Sequence, residues 1–101
     1  MKIEFERTGG FMGLRIAAEI DTADLPPEDA EDIHNLLSEV DFFALPEELT
    51  STMPGMDYFQ YRLTVTPEDG EAHTVRFTDT AAPLEMLPLV RQLTRMARGQ
   101  D

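Results

Sequence analysis

Two imidazoles, a surplus of carboxylates and one glycine-rich segment are the only parts of this sequence with types and spacing suggestive of chemistry. His34 and His73 are the only histidines, and there is no cysteine. A nucleophile needs a base and an orienting group within reach. His34 lies in Asp32-Ile33-His34-Asn35, beside a helical apolar stripe but outside it, and His73 shares the parity of Val75 and Phe77 near a strand end. Each reads as a surface or partly buried histidine and not as a catalytic base. Zinc wants three or four His, Cys or carboxylate ligands at suitable spacing. Glu28, Glu31 and Asp32 lack the rhythm of a calcium loop, with its internal glycine and terminal Glu, and read as a solvated helix face. The Gly9-Gly10 pair has neither the lysine nor the following helix of a phosphate cradle. The expectation is therefore no catalytic residue, no metal and no cofactor. What remains is Thr8-Gly9-Gly10-Phe11-Met12-Gly13. Glycines there permit a tight or protruding tip. Phe11 can fold back over the sheet edge or be an apolar anchor for a partner's pocket, and spacing leaves both open.

Charge narrows the partners. The formal net charge is −12, and no Lys or Arg occurs between Arg15 and Arg62, an interval rich in Asp and Glu. Such a field repels nucleic acid and anionic membranes, and serves either solubility or steering toward a basic partner. No stretch approaches the roughly 20 apolar residues that span a bilayer. Met1-Lys2-Ile3-Glu4-Phe5-Glu6 alternates in polarity instead of forming the apolar run of a signal peptide. With no cysteine, the expected compartment is a reducing cytoplasm.

The elements that must position these residues follow from periodicity. Lys2 to Arg7 alternates, with Ile3 and Phe5 on one face; Leu14, Ile16, Ala18 and Ile20 alternate likewise. Two such runs joined by glycines predict a β-hairpin. Pro26-Pro27-Glu28-Asp29 suits a helix entrance, and Ile33, Leu36, Leu37 and Val40 form one stripe, with Leu45-Pro46 ending the segment. Phe42, Phe43 and Leu45 are expected to plug the core, and residues 47–57 read as a connector. Phe59, Tyr61, Leu63 and Val65 face one way in a third strand; Pro67-Glu68-Asp69-Gly70 is a turn whose glycine is expected at positive φ; His73, Val75 and Phe77 mark a fourth strand. Pro88 sits badly inside a helix, so a turn is predicted at 83–87, followed by a helix carrying Leu89, Val90, Leu93 and Ala97 inward. The order ββαββα predicts one α+β domain over residues 1–101, a two-layer sandwich of a four-stranded antiparallel sheet with two helices on one face. Arg62, Thr64, Thr74 and Arg76 would line the open face.

Several segments together carry a family resemblance. Arg7-Thr8-Gly9-Gly10-Phe11-Met12-Gly13, Asp21-Thr22-Ala23-Asp24-Leu25-Pro26-Pro27-Glu28, Asp41-Phe42-Phe43-Ala44-Leu45-Pro46, Asp57-Tyr58-Phe59-Gln60-Tyr61, Ala81-Ala82-Pro83 and Leu87-Pro88-Leu89 resemble the emfourin family. Emfourins are small bacterial inhibitors of protealysin-like, thermolysin-type zinc metalloproteases. The resemblance implies a non-enzymatic protein that needs no cofactor and occludes the active-site cleft of its protease, the zinc belonging to the partner. The protease-binding residues would be Thr8, Gly9, Gly10, Phe11 and Met12, with Met53, Pro54, Gly55 and Met56 as a competing loop. The alternative is a non-inhibitory protein–protein interaction module that uses the open sheet face or the acidic helix. A monomer is the default expectation.

Overall fold

The computed structural model describes residues 1–9, 15–50 and 58–99. The alternating runs become strands β1 (Lys2–Gly9), β2 (Ile16–Asp21), β4 (Phe59–Thr66) and β5 (His73–Thr78), with helices α1 (Pro27–Glu39) and α2 (Met86–Gly99). A further strand, β3 (Glu48–Leu49), lies within the expected connector. The sheet order is β2-β1-β4-β5-β3, antiparallel throughout except that β3 runs parallel to β5. This corrects the four-stranded antiparallel expectation: the sheet is five-stranded and mixed. Two residues are too short to show alternation, so β3 leaves no periodic signal. Its partner is β5 and not the next strand in sequence, so the pair is joined by a long connection that includes β4 and not by a hairpin, which permits the parallel arrangement. The Arg76 N–H donates to Glu47 O at 2.8 Å, and Glu48 and Leu49 stand opposite Arg76 and Phe77.

Register brings the inward side chains into rows. Ile20, Ile3, Val65 and His73 form one; Ala18, Phe5, Leu63 and Val75 the next; Ile16, Arg7, Tyr61, Phe77 and Leu49 the third. Ile33, Leu37 and Val40 from α1 and Met86, Leu89, Leu93 and Ala97 from α2 close over them. Each Val, Leu, Ile, Phe or Met side chain among them, fully buried, contributes about 1.5–3 kcal/mol. Phe42 is buried at the exit from α1, but Phe43 is 46% exposed and does not plug the core. Leu36 and Val90 lie at the flanks of their stripes, half-buried.

Local chemistry sets the boundaries. Pro27 opens α1, and Glu28 and Asp29 occupy the first turn, where the helix dipole favours anions. The helix stops at Glu39, earlier than Leu45-Pro46, because Asp41 turns left-handed at φ 52, a conformation that Asp tolerates better than most residues. The 3-10 turn Phe42–Ala44 follows, and Leu45 is extended before Pro46 as its position requires. α2 begins at Met86, inside the expected turn. Pro88 thereby falls in the first helical turn, where its missing N–H would have had no intrahelical partner. Gly70 does not take positive φ; it is small because a Cβ there would come within 2.9 Å of Pro67 Cγ.

Candidate partner-binding surface

One end of the sheet gathers the connections that the sequence singles out. Thr8 stands opposite Gln60, and Gly9 opposite Phe59. Gly9 has φ +95, and a Cβ on it would lie 2.8 Å from Tyr58 O. No other residue fits there unless backbone moves. Gly10, Phe11 and Met12 lie outside the described residues, as do Met53, Pro54, Gly55 and Met56. Their roots are described. Segment 10–14 joins Gly9 to Arg15, and segment 51–57 joins Thr50 to Tyr58, so the two candidate loops leave from adjoining positions. β5 ends at Thr78 opposite Gln60, and the segment after it carries Leu84, 79% exposed. The two loops that sequence alone sets in competition are thus rooted side by side.

Beneath this end, aromatic rings and one cation form a floor. The Arg7 guanidinium lies 4.4 Å from the Phe59 ring centroid, a cation–π contact. Its Nε is buried with no hydrogen-bond partner among the described residues. Tyr61 stacks on Phe77 with centroids 4.9 Å apart and also touches Phe5 and Phe59. Burial pushes the Tyr61 phenol pKa above its ordinary 10.0. Sequence reasoning missed Arg7, although a charge at the inward parity of Ile3 and Phe5 was the signal.

The outer face of the same strands is polar, as expected for Arg62, Thr64, Thr74 and Arg76. The Glu6 carboxylate accepts from Arg15 Nη2 at 2.7 Å and from Arg62 Nη2 at 3.3 Å. The hydrogen bond from Arg15 holds its carboxyl below the ordinary 4.5, against the opposing effect of partial burial. Thr64 and Thr74 share a 2.8 Å hydroxyl hydrogen bond. Arg76 stands between Arg62 on β4 and Glu48 on β3. A shallow hollow of about 530 Å³ lies over Glu4, Glu6, Arg15, Ala17, Glu19 and Arg62, and another of about 280 Å³ reaches from Thr8 and Gln60 to Arg76. These groups can hydrogen-bond and pair charges.

A protein-family model described as Emfourin matches residues 5–94. The chain belongs to the emfourin family. No curated protein and no solved structure matches it. Family membership points to a metalloprotease-inhibitor role with a protease as partner. In this emfourin-family chain His34 is exposed on α1. His73 Nε2 lies 2.9 Å from Leu45 O, a carbonyl that can only accept, so Nε2 carries the proton. The ring also packs edge-on against Phe42, a structural arrangement that ties the exit of α1 to β5. Among the described residues no group of three or more His, Cys, Asp or Glu is placed to hold a metal ion, and no described helix is long and apolar enough to cross a membrane.

Proposed function

We propose that the chain inhibits a thermolysin-like zinc metalloprotease by laying segment 8–12 in the active-site cleft. The observation that carries this reading is the family match over residues 5–94. The root of the segment supports it. Gly9 leaves β1 at φ +95 against the Tyr58 carbonyl, and the register of Gly9 with Phe59 ties that root into the middle of the sheet. Thr8 and Gly9, already fixed in the sheet, would lose little entropy on docking, which favours affinity. Phe11 is the anchor for a pocket that takes bulky apolar side chains, while Thr8, Gly9 and Gly10 let the backbone lie close and Met12 completes the contact. Met53, Pro54, Gly55 and Met56, rooted alongside, supply a second contact on the rim. The catalytic zinc is the partner's.

The experiment is a titration into a peptidase assay with a thermolysin-like enzyme encoded near this gene. Competitive loss of activity is expected, with no cofactor required. Gly10→Pro and Phe11→Ala should weaken inhibition without lowering the melting temperature. An unchanged rate at about micromolar inhibitor, roughly −8 kcal/mol of binding, removes the reading. A pull-down that instead returns a basic, non-peptidase partner, released at high salt, puts the interaction-module reading in its place.

A further inference from the structure

The connections at the two ends of the sheet differ in charge. At the end where β4 turns into β5 and β2 leaves for α1, they carry Asp21, Asp24, Glu68, Asp69 and Glu71. At the other end no Asp, Glu, Lys or Arg occurs in residues 8–14, 49–56 or 80–84, although 28% of the chain is charged. The first two stretches hold the loops already considered. The third is described throughout. Gln60 stands opposite Thr78, and the Asp79 N–H donates to Phe59 O at 3.2 Å. Phe59 therefore lies between Asp79 and Gly9, which are two strand spacings, roughly 10 Å, apart. The N–H groups of Ala81 and Ala82 both donate to Thr78 O, at 3.1 and 3.0 Å, so the chain curls back against the end of β5 instead of leaving it. Pro83 O then accepts the Met86 N–H at 2.9 Å, and Leu84 O accepts the Leu87 N–H at 3.1 Å. That turn sends Met86 into the core, 0% exposed, and leaves Leu84 and Leu87 outside, 79% and 39% exposed.

A lone exposed leucine is ordinary on a protein surface. Two on one turn, at the uncharged end of a chain whose net charge is −12, match the charge depletion that marks the centre of an interface. We propose that Leu84, supported by Leu87, makes a third contact with the metalloprotease, on an apolar, uncharged lip beside the active-site cleft. This contact rests on the inhibitor role proposed above. The occupant follows from position: a partner broad enough to receive the strand end at Gly9 must also pass over a turn that starts roughly 10 Å away. Backbone hydrogen bonds hold the turn on both sides of Pro83, so docking Leu84 orders little beyond its own side chain. The carboxylates of the far end stay in water and need no desolvation.

Leu84→Ala should raise the inhibition constant about tenfold or more, through apolar area no longer buried. Leu84→Asp should raise it further, because a carboxylate would have to leave water. With Leu84 so exposed, neither variant should lower the melting temperature. Asp69→Ala, at the far end, should inhibit as wild type does. The chain has no cysteine, so Leu84→Cys carries its only thiol. Alkylation of that thiol by iodoacetamide, read from the mass of the inhibitor, should slow severalfold when the protease is in excess. Asp69→Cys should react at one rate, free or bound. Inhibition at the wild-type level by both Leu84→Ala and Leu84→Asp, or a Leu84→Cys thiol that reacts equally fast free and bound, overturns this contact and leaves the inhibitor role standing. A wild type that does not slow the protease overturns the inhibitor role, and the contact with it.

Discussion

Neighbouring residues of β4 live in two different regimes. Leu63 is 0% exposed on the covered face, while Arg62 and Thr64, one step either side, belong to the open face with Glu6, Thr74 and Arg76. On the covered face stabilisation comes from apolar area removed from water and is hard to replace. On the open face it comes from solvent-screened charges and hydroxyls, each contributing about 1 kcal/mol or less. One strand therefore offers a surface that can change without unfolding the chain and a core that cannot.

The largest expected effect tests this contrast at adjacent positions. Leu63→Ala should destabilise by about 2–5 kcal/mol, and Thr64→Ala, which loses the hydroxyl bond to Thr74, by about 1 kcal/mol; urea midpoints decide it, and equal losses would break the comparison. Next is Gly9→Ala, at the junction of strand and loop. It places a Cβ 2.8 Å from Tyr58 O at φ +95 and should cost about 1–3 kcal/mol, together with a loss of protease inhibition beyond what the lower melting temperature explains. Glu6→Gln should cost less than about 1 kcal/mol, since its partners Arg15 and Arg62 are exposed. The sign of its pH dependence is set by a folded-state pKa below 4.5. Its contribution is full above that ordinary value and disappears as pH falls through the folded one, so the variant should show a shallower acid limb in stability against pH. Smallest of all, Pro88→Ala should change stability by no more than about 0.5 kcal/mol, because the residue lies in the first turn of α2; a thermal melt suffices.

What could be read from the sequence follows the same division. The inward rows were legible because Ile3, Phe5, Leu63, Val65, Val75 and Phe77 alternate with polar neighbours over whole strands. Ile33, Leu37 and Val40 likewise mark one side of a helix. β3 was not legible, since two residues have no period and its partner is set by tertiary path. Asp41 was missed as the end of α1 because left-handed turns at non-glycine residues carry weak sequence signals. Of the candidate surface, Gly9 was recognisable by residue type alone. Arg7 over Phe59 was not, because cation–π contact depends on a register that places residues 52 positions apart side by side. That segments 10–14 and 51–57 have adjoining roots is also a fact of strand order, invisible until β1 and β4 are paired.

That pairing of β1 with β4 has a kinetic consequence. Lys2 stands opposite Thr66 and Gly9 opposite Phe59, so the central seam of the sheet joins residues separated by about half of the chain or more. The β1–β2 hairpin can form early from local contacts, but β1 then waits with its second side unsatisfied until β4 arrives. Loop closure over such a span must come before the burial that rewards it. Folding should accordingly be limited by closure of this seam, in milliseconds or longer and not the microseconds of a helical bundle. The open flank of the N-terminal hairpin is then the point at which an unfinished chain is most exposed to mispairing.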